Sequence, residues 1–187
     1  MPENKKAAEL PIQIERDLFL RNLLRELSGT LEQVVGEALA ACGETLALAE
    51  SCTGGLLAER VTAVPGASAY FLGGIVSYAN EVKVSFLGVA ETTLAAHGAV
   101  SEEAAREMAA GARERFGATY ALAATGIAGP SGGTSEKPVG TVCFALAGPE
   151  GVSSERRYFG GGRDWVRLRA SQHALDMLRL YLLAKGD

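Results

Sequence analysis

Apolar and polar positions along the chain follow two periods, and the changes of period mark its elements. Leucines at Leu18, Leu20, Leu23, Leu24 and Leu27 recur at helical spacing, which predicts an amphipathic helix over 14–27. Ser28-Gly29 stops it, and Thr30 caps a second helix carrying Leu31, Val34, Val35 and Ala38. The pattern then shortens to an apolar run, Leu46-Ala47-Leu48-Ala49. It ends in Glu50-Ser51-Cys52-Thr53-Gly54-Gly55 before helical spacing resumes to about Val64. That order reads as strand, tight turn, helix start, which is where α/β proteins place ligands. The aromatic and β-branched stretch 70–78 predicts a second strand. Helical patterning returns at 79–83, near 92–96, and in a long helix capped by Ser101-Glu102-Glu103 and running to Phe116. A third strand is predicted over 119–125 and empties into a second glycine-rich loop over 126–134. Segments 139–147 and 152–159 predict a hairpin across Gly148-Pro149-Glu150-Gly151, and a helix over 164–183 closes the pattern.

The predicted architecture is a single α/β domain, a mixed β-sheet with helices packed on its faces. An N-terminal, partly helical extension over 1–30 precedes the domain over 31–187. Composition agrees: 187 residues, 48% hydrophobic and 21% charged, with 23 glycines, suit one well-packed domain rather than a disordered chain. The net charge of -4 argues against nucleic acid as a partner, because phosphate backbones need a basic face. No apolar run reaches a membrane span, and the opening stretch is polar, so a cytoplasmic location away from the membrane is expected. The N-terminal leucines can pack on the domain or supply the surface of a homodimer.

The chemistry-bearing residues are few. Cys42, Cys52 and Cys143 are widely spaced and odd in number, which suggests reduced thiols and neither a disulfide framework nor a zinc site. His97 and His173 belong to no metal-binding or triad pattern; His97 before Gly98 reads as a helix-end residue, and His173 as an ordinary helix residue. No metal or other cofactor is expected. Ser51, in the turn after the first strand, is the leading nucleophile candidate, with Cys52 beside it as the alternative. Lys83 stands between Val82 and Val84 at a strand-to-helix junction. A packed stem there would desolvate the amine and lower its pKa, so that its neutral form could take a serine proton. An ordinary surface lysine fits that spacing as well. Tyr78, five residues earlier in sequence, could hydrogen-bond to either group. The backbone amides of Thr53, Gly54 and Gly55 are candidate donors to an oxyanion or phosphate. The loop after Thr125 and Gly126, and Arg163 after three glycines, could line the same crevice. Neither a dinucleotide-binding G-x-G-x-x-G nor a P-loop is present.

Four segments together carry a family resemblance. Ala49-Glu50-Ser51-Cys52-Thr53-Gly54-Gly55, Val76-Ser77-Tyr78-Ala79-Asn80-Glu81-Val82-Lys83, His97-Gly98-Ala99-Val100-Ser101 and Thr125-Gly126-Ile127-Ala128-Gly129-Pro130 occur in this order. The chain resembles the C-terminal domain of the bacterial CinA competence/damage-inducible proteins over roughly 31–183. That family includes stand-alone nicotinamide-nucleotide amidohydrolases, the NMN deamidases. Full-length relatives carry a further N-terminal domain resembling molybdopterin-binding proteins, which residues 1–30 are too short to supply. The resemblance implies metal-independent hydrolysis of nicotinamide mononucleotide to nicotinic acid mononucleotide and ammonia, in pyridine-nucleotide recycling. It assigns Ser51 as nucleophile, Tyr78 and Lys83 as its activating network, and the Thr125 loop and Arg163 as substrate-holding elements. A non-catalytic module that binds a nucleotide or a partner protein in competence or DNA damage is the alternative expectation.

Overall fold

The structure, a computed structural model, describes residues 29–185, so the helix expected over 14–27 lies outside the described residues. Thr30 opens helix α1 (Leu31–Cys42), its backbone N–H donating to the Gln33 side chain at 2.9 Å. Gly43, at φ 64, closes that helix in the left-handed conformation that glycine adopts without strain. Strand β1 (Leu46–Glu50) leads through the Ser51–Gly55 turn into helix α2 (Leu56–Thr62). Strand β2 (Phe71–Val76) follows, then helices α3 (Asn80–Leu87), α4 (Glu91–His97) and α5 (Glu102–Phe116). Strands β3 (Tyr120–Gly126), β4 (Thr141–Gly148) and β5 (Gly151–Tyr158) lead to helix α6 (Arg163–Lys185). Every element expected within these residues is present, most ends lying within two positions of expectation, while α3 runs four residues past the expected 79–83. The late start of β4 has a local cause. Gly140, at φ +101, donates its N–H to the Ile127 carbonyl, so β4 starts at Thr141 rather than at Val139.

The five strands form one sheet in the order β2-β1-β3-β4-β5. β1 pairs in parallel with β2 and β3, while β4 pairs antiparallel with β3 and β5, giving the expected mixed sheet. Strand alternation sends large and small side chains to opposite faces. Leu46, Leu48, Tyr120, Leu122, Phe144 and Leu146 build one core with residues of α1, α2 and α6. Ala47, Ala49, Ala121, Ala123, Ala145 and Ala147 build the other with Ala105, Met108, Ala109 and Ala112 of α5. Small residues on both sides let the α5 backbone sit close to the sheet, in a core that tolerates little added volume. Gly111 on α5 meets α3 so closely that an added Cβ would lie 1.8 Å from the Leu87 carbonyl oxygen. These two layers fix the sheet between helices and leave its C-terminal edge open for chemistry.

Candidate active site

The chain leaves β1 for β2 on one side and later returns to β1's other side as β3. At such a switch point the connections diverge, and a crevice opens beyond the carboxyl ends of the parallel strands. Ser51 follows β1 into that crevice. Its N–H donates to the Ala124 carbonyl of β3 at 2.9 Å, while the Ser77 N–H donates to the Glu50 carbonyl at 2.7 Å. The nucleophile candidate is thus held by the sheet from both sides.

Helix α3 brings Lys83 beneath it. Lys83 is 1% exposed, and its Nζ donates to the Ser77 carbonyl at 2.6 Å and lies 3.2 Å from Ser51 Oγ and 3.4 Å from the Tyr78 carbonyl. Burial pushes the Lys83 pKa below its ordinary value, with Cys52 and Glu81 opposing the shift. The neutral amine has two N–H donors and one lone pair. Two carbonyls take the donors, and the lone pair is then available to the Ser51 hydroxyl. The arrangement can therefore hold Lys83 as a base against a serine.

Glu50 has a different task. Its carboxylate accepts the N–H groups of Gly55 and Leu57 at 3.0 Å each and of Ala58 at 2.8 Å, while the residue is 1% exposed. It caps α2 and satisfies donors that would otherwise be orphaned at the helix start. This corrects the expectation that Gly54 and Gly55 offer amides to a ligand: Gly55 donates to Glu50, and Gly54 to the Ser51 carbonyl at 3.1 Å. The Thr53 carbonyl is taken by Arg167, and the fully buried Thr53 hydroxyl does not line the crevice. Beyond Ser51, Cys52 is the residue of this turn that borders the crevice. The Glu50→Gln variant would face one or two of these N–H groups with an NH₂. Such a mismatch costs about 2 kcal/mol, so Tm in thermal unfolding should fall by roughly 4–8 °C.

The crevice holds about 240 Å³ and is lined by Ser51, Lys83, Asn80, Ala99, Thr125 and Arg163, among others. Cys52 also borders it, but burial pushes that thiol up to about 12, so it stays protonated at neutral pH and is a poor nucleophile beside Ser51. Thr125 and Gly126 end β3 on the far wall, where the Thr125 hydroxyl donates to the Ala99 carbonyl at 2.8 Å. Thr125 thus holds the 97–101 segment against the site and has only lone pairs left for a ligand. The Tyr78 hydroxyl contacts neither Ser51 nor Lys83; it accepts from Arg163 Nη2 at 3.2 Å, at the outer rim. Arg163 Nη1 donates to the Gly129 carbonyl at 2.9 Å. His97 ends α4, and His173 pairs with Glu155; neither borders the crevice. Among the described residues no three His, Cys, Asp or Glu side chains come together as a metal site, and no helix is long and apolar enough to cross a membrane. Asn80, Ala99 and Val100 were not singled out from the sequence as site residues, although all three lie in the segments that carry the family resemblance.

Comparison with known proteins identifies the family. The family description "CinA C-terminal domain" matches residues 28–182. A protein of Symbiobacterium thermophilum named as competence-damage inducible is 56% identical over 187 residues, covering 95% of this chain and 44% of its own. A CinA-like protein of an Anaeromyxobacter species is 54% identical over 167 residues, covering 89% of this chain and 41% of its own. This chain therefore spans about two fifths of the length of the curated relatives it matches. The crystal structure of a CinA superfamily protein from Klebsiella pneumoniae superposes with a TM-score of 0.80 at 38% identity, covering 82% of this chain and 96% of that one. A competence/damage inducible protein from Agrobacterium tumefaciens gives 0.76 at 41% identity, covering 87% and 94%. With the family match over 28–182, identities above 50% and close overall superposition, the chain belongs to the CinA family, through that family's C-terminal domain.

Proposed function

We propose that this domain is a nicotinamide-nucleotide amidohydrolase, converting nicotinamide mononucleotide to nicotinic acid mononucleotide and ammonia. The observation that carries this reading is the buried Lys83 amine 3.2 Å from Ser51 Oγ at the floor of the crevice. Neutral Lys83 takes the Ser51 proton as the oxygen attacks the carboxamide carbon. The Cys52 N–H, in the turn that borders the crevice, is the candidate donor to the developing oxyanion, worth on the order of 3 kcal/mol when well aimed. Protonated Lys83 then gives its proton to the leaving nitrogen, ammonia departs, and water cleaves the acyl-serine to regenerate the hydroxyl. A cavity of 240 Å³ is small for a whole nucleotide, which suits a carboxamide ring inside and a phosphate at the Arg163 rim. No step calls for a metal.

Ammonia release from nicotinamide mononucleotide, with and without a chelator, tests this reading. Turnover unchanged by the chelator is expected; inhibition by it would overturn the metal-independent mechanism. The second reading is a non-catalytic nucleotide or protein-binding module linked to competence or DNA damage, the terms in which one relative is named. Binding of the mononucleotide without ammonia release would select it.

A further inference from the structure

Arg163 spans the mouth of the crevice. Its Nη1 reaches the Gly129 carbonyl beyond β3 at 2.9 Å, and its Nη2 reaches the Tyr78 hydroxyl beyond β2 at 3.2 Å. Ser51 follows the strand between these two, so the guanidinium bridges the walls on either side of the nucleophile. Tyr78 is 63% exposed, yet it borders the same crevice as Ser51 and Lys83, and its own carbonyl already faces Lys83 Nζ. The phenol borders the crevice, and its contact with Arg163 holds it at the rim.

We propose that Arg163 is an anion-operated latch: it holds the Tyr78 hydroxyl away from Ser51 and Lys83, and a phosphate monoester that takes the guanidinium releases that hydroxyl to them. The chemistry favours the exchange. A guanidinium binds a phosphate through paired hydrogen bonds between opposite charges, whereas the phenol offers it one neutral acceptor. The Gly129 carbonyl keeps the guanidinium at the mouth while the phenol leaves. Once inside, the hydroxyl can donate to the serine oxygen or pass a proton toward the leaving nitrogen. What the released hydroxyl does there rests on the amidohydrolase reading; its release does not. The consequence is that the substrate's phosphate, remote from the amide, raises kcat and not only affinity.

Two measurements test this. The first compares nicotinamide mononucleotide with nicotinamide riboside, which carries the same amide and no phosphate. For the wild type, kcat on the riboside should fall roughly a hundredfold, and millimolar inorganic phosphate should recover part of it, while Tyr78→Phe should turn over both substrates at the low rate with no response to phosphate. Equal kcat values with a raised KM alone for the riboside would overturn the latch. The second needs no turnover. With ¹³C-labelled tyrosine, the ring resonance missing in Tyr78→Phe should shift when inorganic phosphate is added, and Arg163→Ala should already show the shifted position without it. A Tyr78 resonance that ignores phosphate overturns the proposal, whatever the activity. A shift with no ammonia release from either substrate would leave the latch standing and remove the amidohydrolase reading.

Discussion

Lys83→Met should lower kcat/KM for ammonia release by about 10²–10⁴-fold while leaving the protein folded. Methionine fills a similar slot without an amine, so the base is lost while the packing of α3 is largely kept. Two effects on stability oppose each other. The variant leaves the Ser77 carbonyl without its 2.6 Å donor, but it also removes an amine that burial holds in an unfavourable setting. The net change should stay within about 1 kcal/mol, or roughly 2–4 °C in Tm. The pH dependence gives a sharper signature. Folding lowers the Lys83 pKa, so below that lowered value the amine is charged in both states and cannot act as a base. Wild-type kcat/KM should therefore rise with pH through an apparent value below 10.5. Between the lowered value and 10.5 the unfolded chain binds the additional proton, so folding stability should also rise with pH in that window. Denaturant unfolding at neutral pH and just under pH 10.5 should detect this rise in the wild type and a smaller one in Lys83→Met. Retention of full activity by the variant would remove Lys83 from the mechanism.

Ser51→Ala should abolish turnover, by at least about 10³-fold in kcat, with KM or binding affinity little changed. Ser51 makes its structural hydrogen bonds through the backbone, to Ala124 and from Gly54, and the side chain bonds to Lys83 alone among the described partners. Removing the oxygen should therefore leave the turn and the Glu50 cap intact. Thermal unfolding within a few degrees of wild type, together with lost ammonia release, separates a missing nucleophile from a damaged fold. A reacting serine also predicts an acyl-enzyme mass on Ser51 when the reaction is quenched early. An active alanine variant would instead direct attention to water activated by Lys83. Ser51→Cys, which retains a nucleophile of different acidity, should keep partial activity with a displaced pH profile.

Much of this protein is legible in its sequence, and the reasons are local. The 3.6-residue spacing of Leu31, Val34, Val35 and Ala38, the Ser101 cap and the Leu-Ala alternation of 46–49 each act through neighbours a few residues away. The strand–turn–helix around Glu50–Leu56 is readable from residue order alone, and β1, the turn and α2 occupy those positions. The scarcity of histidine left Lys83 as the base candidate for Ser51. Tertiary structure decided the rest. That Lys83 is buried and not a surface lysine depends on β2 and α3 meeting the β1 turn, a contact spanning 32 positions. That Glu50 spends the α2 amides, removing Gly55 from the ligand's donors, depends on which way one carboxylate turns. Tyr78 and Arg163 lie 85 positions apart and meet only because the start of α6 arrives at the mouth of the crevice. Sequence spacing fixes which side chains share a face of one element, whereas the sheet order decides which elements share an edge. Ser51 and its turn belong to the first kind of information; the burial of Lys83, the helix cap and the Arg163 bridge belong to the second.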